Sequence, residues 1–75
     1  MKLPLVSSDK LLKLLSKKDF TIIRQKGSHI SLHKKVNGKT LLVVVPRKHQ
    51  IKRGTLISIL KQANISREDF LKEIY

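Results

Sequence analysis

The chain has no cysteine, no tryptophan and only five acidic residues in 75. Without cysteine, disulfide frameworks and thiolate metal centres are excluded, and a reducing cytoplasm is the simpler setting. Aromatic residues are limited to Phe20, Phe70 and Tyr75, so Leu, Ile and Val must build the core. No apolar run approaches the ~20 residues of a membrane-spanning helix. The opening Met1-Lys2-Leu3-Pro4-Leu5-Val6 is too short and too soon interrupted for a signal peptide. Repeats, low-complexity tracts and linkers are also missing, and residues 1–75 read as one small domain. A core of this size is normally marginal, which makes a stabilising partner or oligomer plausible from size alone.

What the chain has in excess is positive charge. Lys and Arg number 17, for a formal net charge of +12. Between positions 10 and 61 they occupy 14 positions and face a single acid, Asp19, whereas the last ten residues are slightly acidic. A lysine-rich surface that served solubility alone would balance Lys with Glu. This one does not, and it points to a polyanionic partner, most simply nucleic acid. Hydrophobic residues make up 40% of the chain, too many for a solvated polycationic tail.

The pattern predicts the order α-β-β-β-α-α. Residues 7–18 read as a helix capped by Ser7 or Ser8, with Leu11, Leu12, Leu14 and Leu15 on one side and Lys10, Lys13 and Lys17 on the other. Asp19 breaks the pattern, and Phe20 leads into a strand, Thr21 to Lys26. Gly27-Ser28 and Asn37-Gly38 are two-residue hairpin turns joining that strand to His29–Val36 and then to Lys39–Val45, which stops at Pro46. The segment Arg47–Arg53 is basic and has no clear period. Leu56, Ile59, Leu60 and Ala63 mark a second helix running to about Asn64, and Ser66-Arg67-Glu68-Asp69 opens a short third one with Phe70, Leu71 and Ile74 inward. The expected fold class is α+β: a three-stranded antiparallel meander with helices on one face.

Two-residue turns fix the register, and directly opposed residues share a face. Ile23, Ile30, Leu32, Leu41, Val43 and Val45 then form the core face. Arg24, Lys26, His29, Ser31 and His33 form the other, with Ile22, Leu42 and Val44 beside them. A cationic, imidazole-bearing patch adjoining exposed aliphatics suits phosphate at one end and a protein partner at the other. The plainer account of Leu42 and Val44 is ordinary surface preference, since single exposed aliphatics are common on sheets.

Few residues could carry chemistry. The five acids are dispersed, with no pair placed for glycoside cleavage or for two metals. His29 and His33 lie on one strand, ~13 Å apart, too far to share a metal ion. The expectation is no metal and no cofactor. Phosphodiester cleavage in RNA needs less: the 2′-hydroxyl is an internal nucleophile, and a base, an acid and cations suffice. Histidine suits either proton role near neutral pH. His29 follows the Gly27-Ser28 turn, whose backbone N–H groups and hydroxyl could hold a phosphate.

Gly27-Ser28-His29, the apolar strand ending Val45-Pro46-Arg47, the run Ile51-Lys52-Arg53-Gly54-Thr55-Leu56 and the continuation Ile59-Leu60-Lys61-Gln62-Ala63-Asn64-Ile65-Ser66 together resemble the HicA toxin family. The resemblance runs from the first helix to Phe70. It implies a fold like the double-stranded-RNA-binding domain and the activity of an mRNA interferase, the toxin half of a type II toxin–antitoxin pair. It also implies a HicB-like antitoxin covering the sheet face that carries His29. The histidine of the Gly-Ser-His motif is required for toxicity in that family, and the role carries to His29. The family often has histidine directly after Val-Pro-Arg. Here Lys48 stands there and His49 follows, so no role carries to His49, nor to His33.

The expectation is thus a cytoplasmic endoribonuclease acting on mRNA, with His29 catalytic. Arg24, Lys26, Gly27 and Ser28 would hold phosphate from the sheet face, and Arg47, Lys48, Lys52 and Arg53 would form a second basic edge. The alternative is a non-catalytic double-stranded-RNA-binding module, which would survive loss of His29. Binding to an anionic membrane ranks last, for want of aromatic anchors.

Overall fold

In the computed structural model, which describes residues 3–75, the chain runs through α1 (Ser8–Lys17), β1 (Thr21–Lys26), β2 (His29–Val36), β3 (Lys39–Pro46), α2 (Arg53–Gln62) and α3 (Arg67–Ile74). The three strands form an antiparallel sheet in the order β1-β2-β3. This is the α+β meander expected from the pattern.

Local chemistry sets each boundary. The Ser7 hydroxyl accepts from the Lys10 N–H at the start of α1, and Ser66 accepts from Asp69 at the start of α3. Helices α1 and α2 both end on a polar residue in the left-handed region, Asp19 at φ 71 and Asn64 at φ 56. In each case the next N–H turns back to close the helix: Phe20 donates to the Leu15 carbonyl and Ile65 to that of Leu60. The closing residue is apolar and packs on the core, so these two turns both stop a helix and seat its successor. Gly27 at φ 58 opens the first hairpin turn, and Asn37 and Gly38 at φ 51 and 79 form the second.

The β2–β3 register is the expected one, with Val36 opposite Lys39, His33 opposite Leu42 and Ser31 opposite Val44. Alternation sends Ile30, Leu32, Val43 and Val45 into the core, where they meet Leu11, Leu14 and Leu15 of α1, Leu56, Ile59 and Leu60 of α2, and Phe70 of α3. Leu41 packs at the edge of this cluster rather than within it. The first strand departs from expectation. Its pairing keeps Lys26 opposite His29 and Arg24 opposite Ser31, but a bulge then places Ile22 opposite Leu32 and leaves Ile23 as the extra residue. Ile23 is therefore not a core residue, and Ile22 does not take its expected place beside Arg24. Both are exposed, at 51% and 54%. The helices stand against β3, so the far edge of the sheet at β1 has nothing to bury its side chains.

The segment 3–8 is also part of the fold. Val6 and Ile51 form an antiparallel bridge, with the Ile51 N–H on the Val6 carbonyl at 2.8 Å, and both side chains are buried. Ser8 is the one buried polar side chain among the described residues. Its hydroxyl donates to the Lys48 carbonyl and accepts from the Lys48 N–H, each at 3.1 Å, while its own N–H reaches the same carbonyl at 3.0 Å. The Arg53 side chain donates through Nε to the Leu3 carbonyl at 2.7 Å. Three successive points of the 3–8 segment thus hold down the 47–53 segment, the stretch whose sequence has no period.

Candidate functional site

His29 opens the central strand. Its neighbours across the sheet are Lys26 on β1 and Pro46 on β3. Because Ile30 is buried, alternation turns His29 to the opposite face, where it is exposed. The same face carries Arg24, Ser31 and Val44 in the next cross-strand row, then Thr21, His33 and Leu42 in a third.

Beyond Pro46 the chain leaves the sheet but stays tied to it: the Arg47 N–H donates to the Ser28 carbonyl at 2.6 Å. This bond draws the first hairpin turn against the 47–52 segment. Between them lies a concavity of about 510 Å³ lined by Ser28, His29, Val44, Pro46, Arg47, Lys48, Ile51, Lys52 and Thr55. Its wall is a cationic loop fixed from behind by the Ser8 and Val6 contacts, and Ile51, fully buried, supplies an apolar floor.

Lys52 is the N-cap of α2, and Thr55 lies in that helix's first turn, so the start of α2 opens on the same concavity. This end differs from the other two in the molecule. Helices α1 and α3 each have a serine cap and acids in the first turn, whereas α2 has no side-chain cap and no acid. Its leading N–H groups have no side-chain acceptor and sit at the positive end of the helix dipole, a combination that favours an anion.

Of the nine residues expected at the site, five line the concavity: Ser28, His29, Arg47, Lys48 and Lys52. Gly27 adjoins it in the turn, where its positive φ shapes the backbone. Arg24 and Lys26 lie on the same outer sheet face without lining it. Arg53 points elsewhere, its Nε committed to the Leu3 carbonyl. His33 is a cross-strand row away from Ser31 and does not line the concavity, and neither does His49. Thr55 was legible only as part of the Gly54-Thr55-Leu56 helix start. Its hydroxyl gains significance because the helix end faces His29, which spacing along the chain does not reveal.

Charge in the site is almost unopposed. Among the described residues, the one acid in contact with its cations is Asp9, 3.6 Å from an Arg47 Nη. No group of three or more His, Asp or Glu placed to hold a metal ion occurs among the described residues. The arrangement offers a proton-transfer group, a hydroxyl, fixed cations and an anion-binding helix end around one concavity.

No curated protein and no solved structure matches the chain. A family model described as the HicA toxin of bacterial toxin–antitoxin systems matches residues 8–65, which span α1 through the end of α2 and include every lining residue of the concavity.

Proposed function

The chain belongs to the HicA toxin family of bacterial toxin–antitoxin systems, and we propose that it is a metal-independent endoribonuclease acting on mRNA through His29. Its family makes it the toxin of a toxin–antitoxin pair, and toxins of this family are generally of RNase type. The observation that carries the reading is the single concavity shared by His29, Ser28, three cationic residues and the uncapped start of α2.

In this reading an RNA phosphate sits against the α2 N-terminus and the Lys52 and Arg47 side chains. His29 serves the 2′-hydroxyl or the leaving oxygen as general base or acid. The lysines and helix N–H groups neutralise the charge that builds on phosphorus. Lys26 and Arg24, on the adjoining strand, extend the cationic surface along the sheet for the neighbouring phosphates.

The antitoxin in this proposal is a HicB-like protein that covers the His29 face. Leu42 and Val44, 56% and 38% exposed, lie on that face beside the cationic rows and give such a partner an apolar centre. Inhibition is then direct occlusion.

The test is expression of the chain alone, together with cleavage of RNA by purified protein in excess chelator. Growth arrest and mRNA loss are expected from the wild type and not from a folded His29→Ala variant, and cleavage should persist in EDTA. Activity that disappears with EDTA and returns with a divalent ion would refute the proton-transfer scheme. The same open helix end could bind double-stranded RNA without cutting it. In that case wild type and His29→Ala would bind RNA alike and neither would cleave.

A further inference from the structure

Arg47 and Lys48 have a second side. Beyond them lies another concavity, of about 230 Å³, lined by Ser7, Ser8, Asp9, Arg47, Lys48 and His49. It shares Arg47 and Lys48 with the concavity at His29, so the two adjoin along that pair. The dividing wall is anchored, because the N–H and the carbonyl of Lys48 are both held by buried Ser8.

The two concavities lie at helix ends of opposite character. At α2 the end is open to an anion. At α1 two of the leading donors are taken, Ser8 N–H by the Lys48 carbonyl and Lys10 N–H by the Ser7 hydroxyl. A carboxylate, Asp9, stands in the first turn. That carboxylate weighs against a phosphate at this helix end, in contrast to the acid-free start of α2. What the second concavity offers is an acceptor-only carboxylate, an imidazole ring and a hydroxyl, the complement of a base and its ribose rather than of a phosphate. The Asp9–Arg47 pair does not block it. Both side chains are well exposed, at 80% and 48%, and an ion pair of that kind yields readily to a ligand.

We propose that this second concavity is a subsite for the nucleotide flanking the cleaved bond, with His49 stacking on its base and Asp9 accepting from the base's N–H donors. The proposal rests on the RNA-cleaving reading above and adds base discrimination to it. A strand whose scissile phosphate lies at the α2 end continues over Arg47 and Lys48 and places its next base beside Asp9. Guanine presents two adjacent N–H donors on its Watson–Crick edge to a carboxylate, whereas uracil presents one, so guanine is the favoured occupant. His49, which family resemblance leaves without a role, acquires one from its position.

The test uses the full chain and 2′-fluoro RNA oligonucleotides, which lack the nucleophile and cannot be cut. Affinities for di- and tetranucleotides with guanine or uracil in the added positions are read by fluorescence anisotropy. From stacking of one added base, wild type should gain about tenfold on lengthening, more with guanine than with uracil. His49→Ala should bind the dinucleotide as wild type does and lose the gain. Asp9→Asn should keep the gain and lose the preference for guanine. If His49→Ala binds the tetranucleotide as tightly as wild type, or weakens both lengths equally, the subsite is wrong while the RNA reading stands. If Asp9→Asn keeps the preference, Asp9 does not read the base. If wild type binds neither length, the RNA reading fails and takes this inference with it. Unfolding curves for each variant separate loss of binding from loss of structure.

Discussion

His29 and Ser8 mark two extremes at the scale of single residues. The His29 side chain is exposed and has no hydrogen bond to the fold among the described residues, so His29→Ala should leave stability within about 0.5 kcal/mol of wild type. Loss of toxicity in that variant would then report chemistry and not unfolding, which a thermal melt can check. Ser8 is the reverse. The residue is buried, and its hydroxyl spans 40 residues of sequence to reach both the N–H and the carbonyl of Lys48. Ser8→Ala leaves the part-buried Lys48 N–H without that acceptor and should cost about 1 kcal/mol in denaturant unfolding. Arg53 belongs with Ser8 and not with His29: its bond to the Leu3 carbonyl makes it a fastener of the N-terminal segment, although its charge and position in sequence suggest a phosphate ligand.

Among the secondary-structure elements, the helix ends and one strand irregularity decide most of what matters. The three helices look alike as amphipathic segments, yet only α2 lacks both a capping side chain and an acidic first turn. At the far end of the same helix, Asn64 takes the left-handed conformation that returns Ile65 to Leu60. Asn64→Ala should destabilise the domain by about 1 kcal/mol and Asn64→Gly should not, since a Cβ is disfavoured there and Asn only partly escapes the penalty. Equal melting temperatures for the two variants would mean that the turn is not strained as its φ indicates. The bulge in β1 has the larger consequence for surface chemistry. One extra residue moves Ile22 into line with Leu32 and leaves two adjacent isoleucines exposed at the open edge of the sheet.

For the molecule as a whole, charge and exposed apolar surface govern binding. A net charge of +12 makes RNA affinity a steep function of salt, because each phosphate contact releases counterions. Replacing Lys48 and Lys52 together by Ala should flatten that dependence by about two contacts' worth of slope without altering the fold, as both side chains are exposed. An unchanged slope would move the RNA from the concavity to the sheet face. Arg53 is unsuitable for this test, since its removal also loosens residues 3–8. The antitoxin complex tests the same surface from the other side. Hydrogen exchange should show protection of β2 and β3 around His29, Leu42 and Val44. If His29 stays open to solvent in an inactive complex, occlusion is not the mechanism.

The sequence by itself determined the element order, both hairpins, the β2–β3 register and hence the face on which His29 stands. These follow from period-2 and helical periodicity and from turn residues that admit positive φ, all local properties of the chain. It also carried the family, whose model matches residues 8–65, from α1 to just past α2. It could not show that Ile23 stays out of the core along with Ile22, because a bulge is a misfit between two strands and neither strand records it alone. Nor could it show that residues 3–8 hold residues 47–53, since single apolar residues such as Val6 and Ile51 have no period and declare themselves only when paired across the fold. The grouping of Ser28, His29, Arg47, Lys48, Lys52 and Thr55, the exclusion of Arg53 and the placing of His49 beside Asp9 were decided by tertiary structure. Each depends on where a loop without regular structure comes to rest, and that is fixed by contacts between residues more than 40 positions apart.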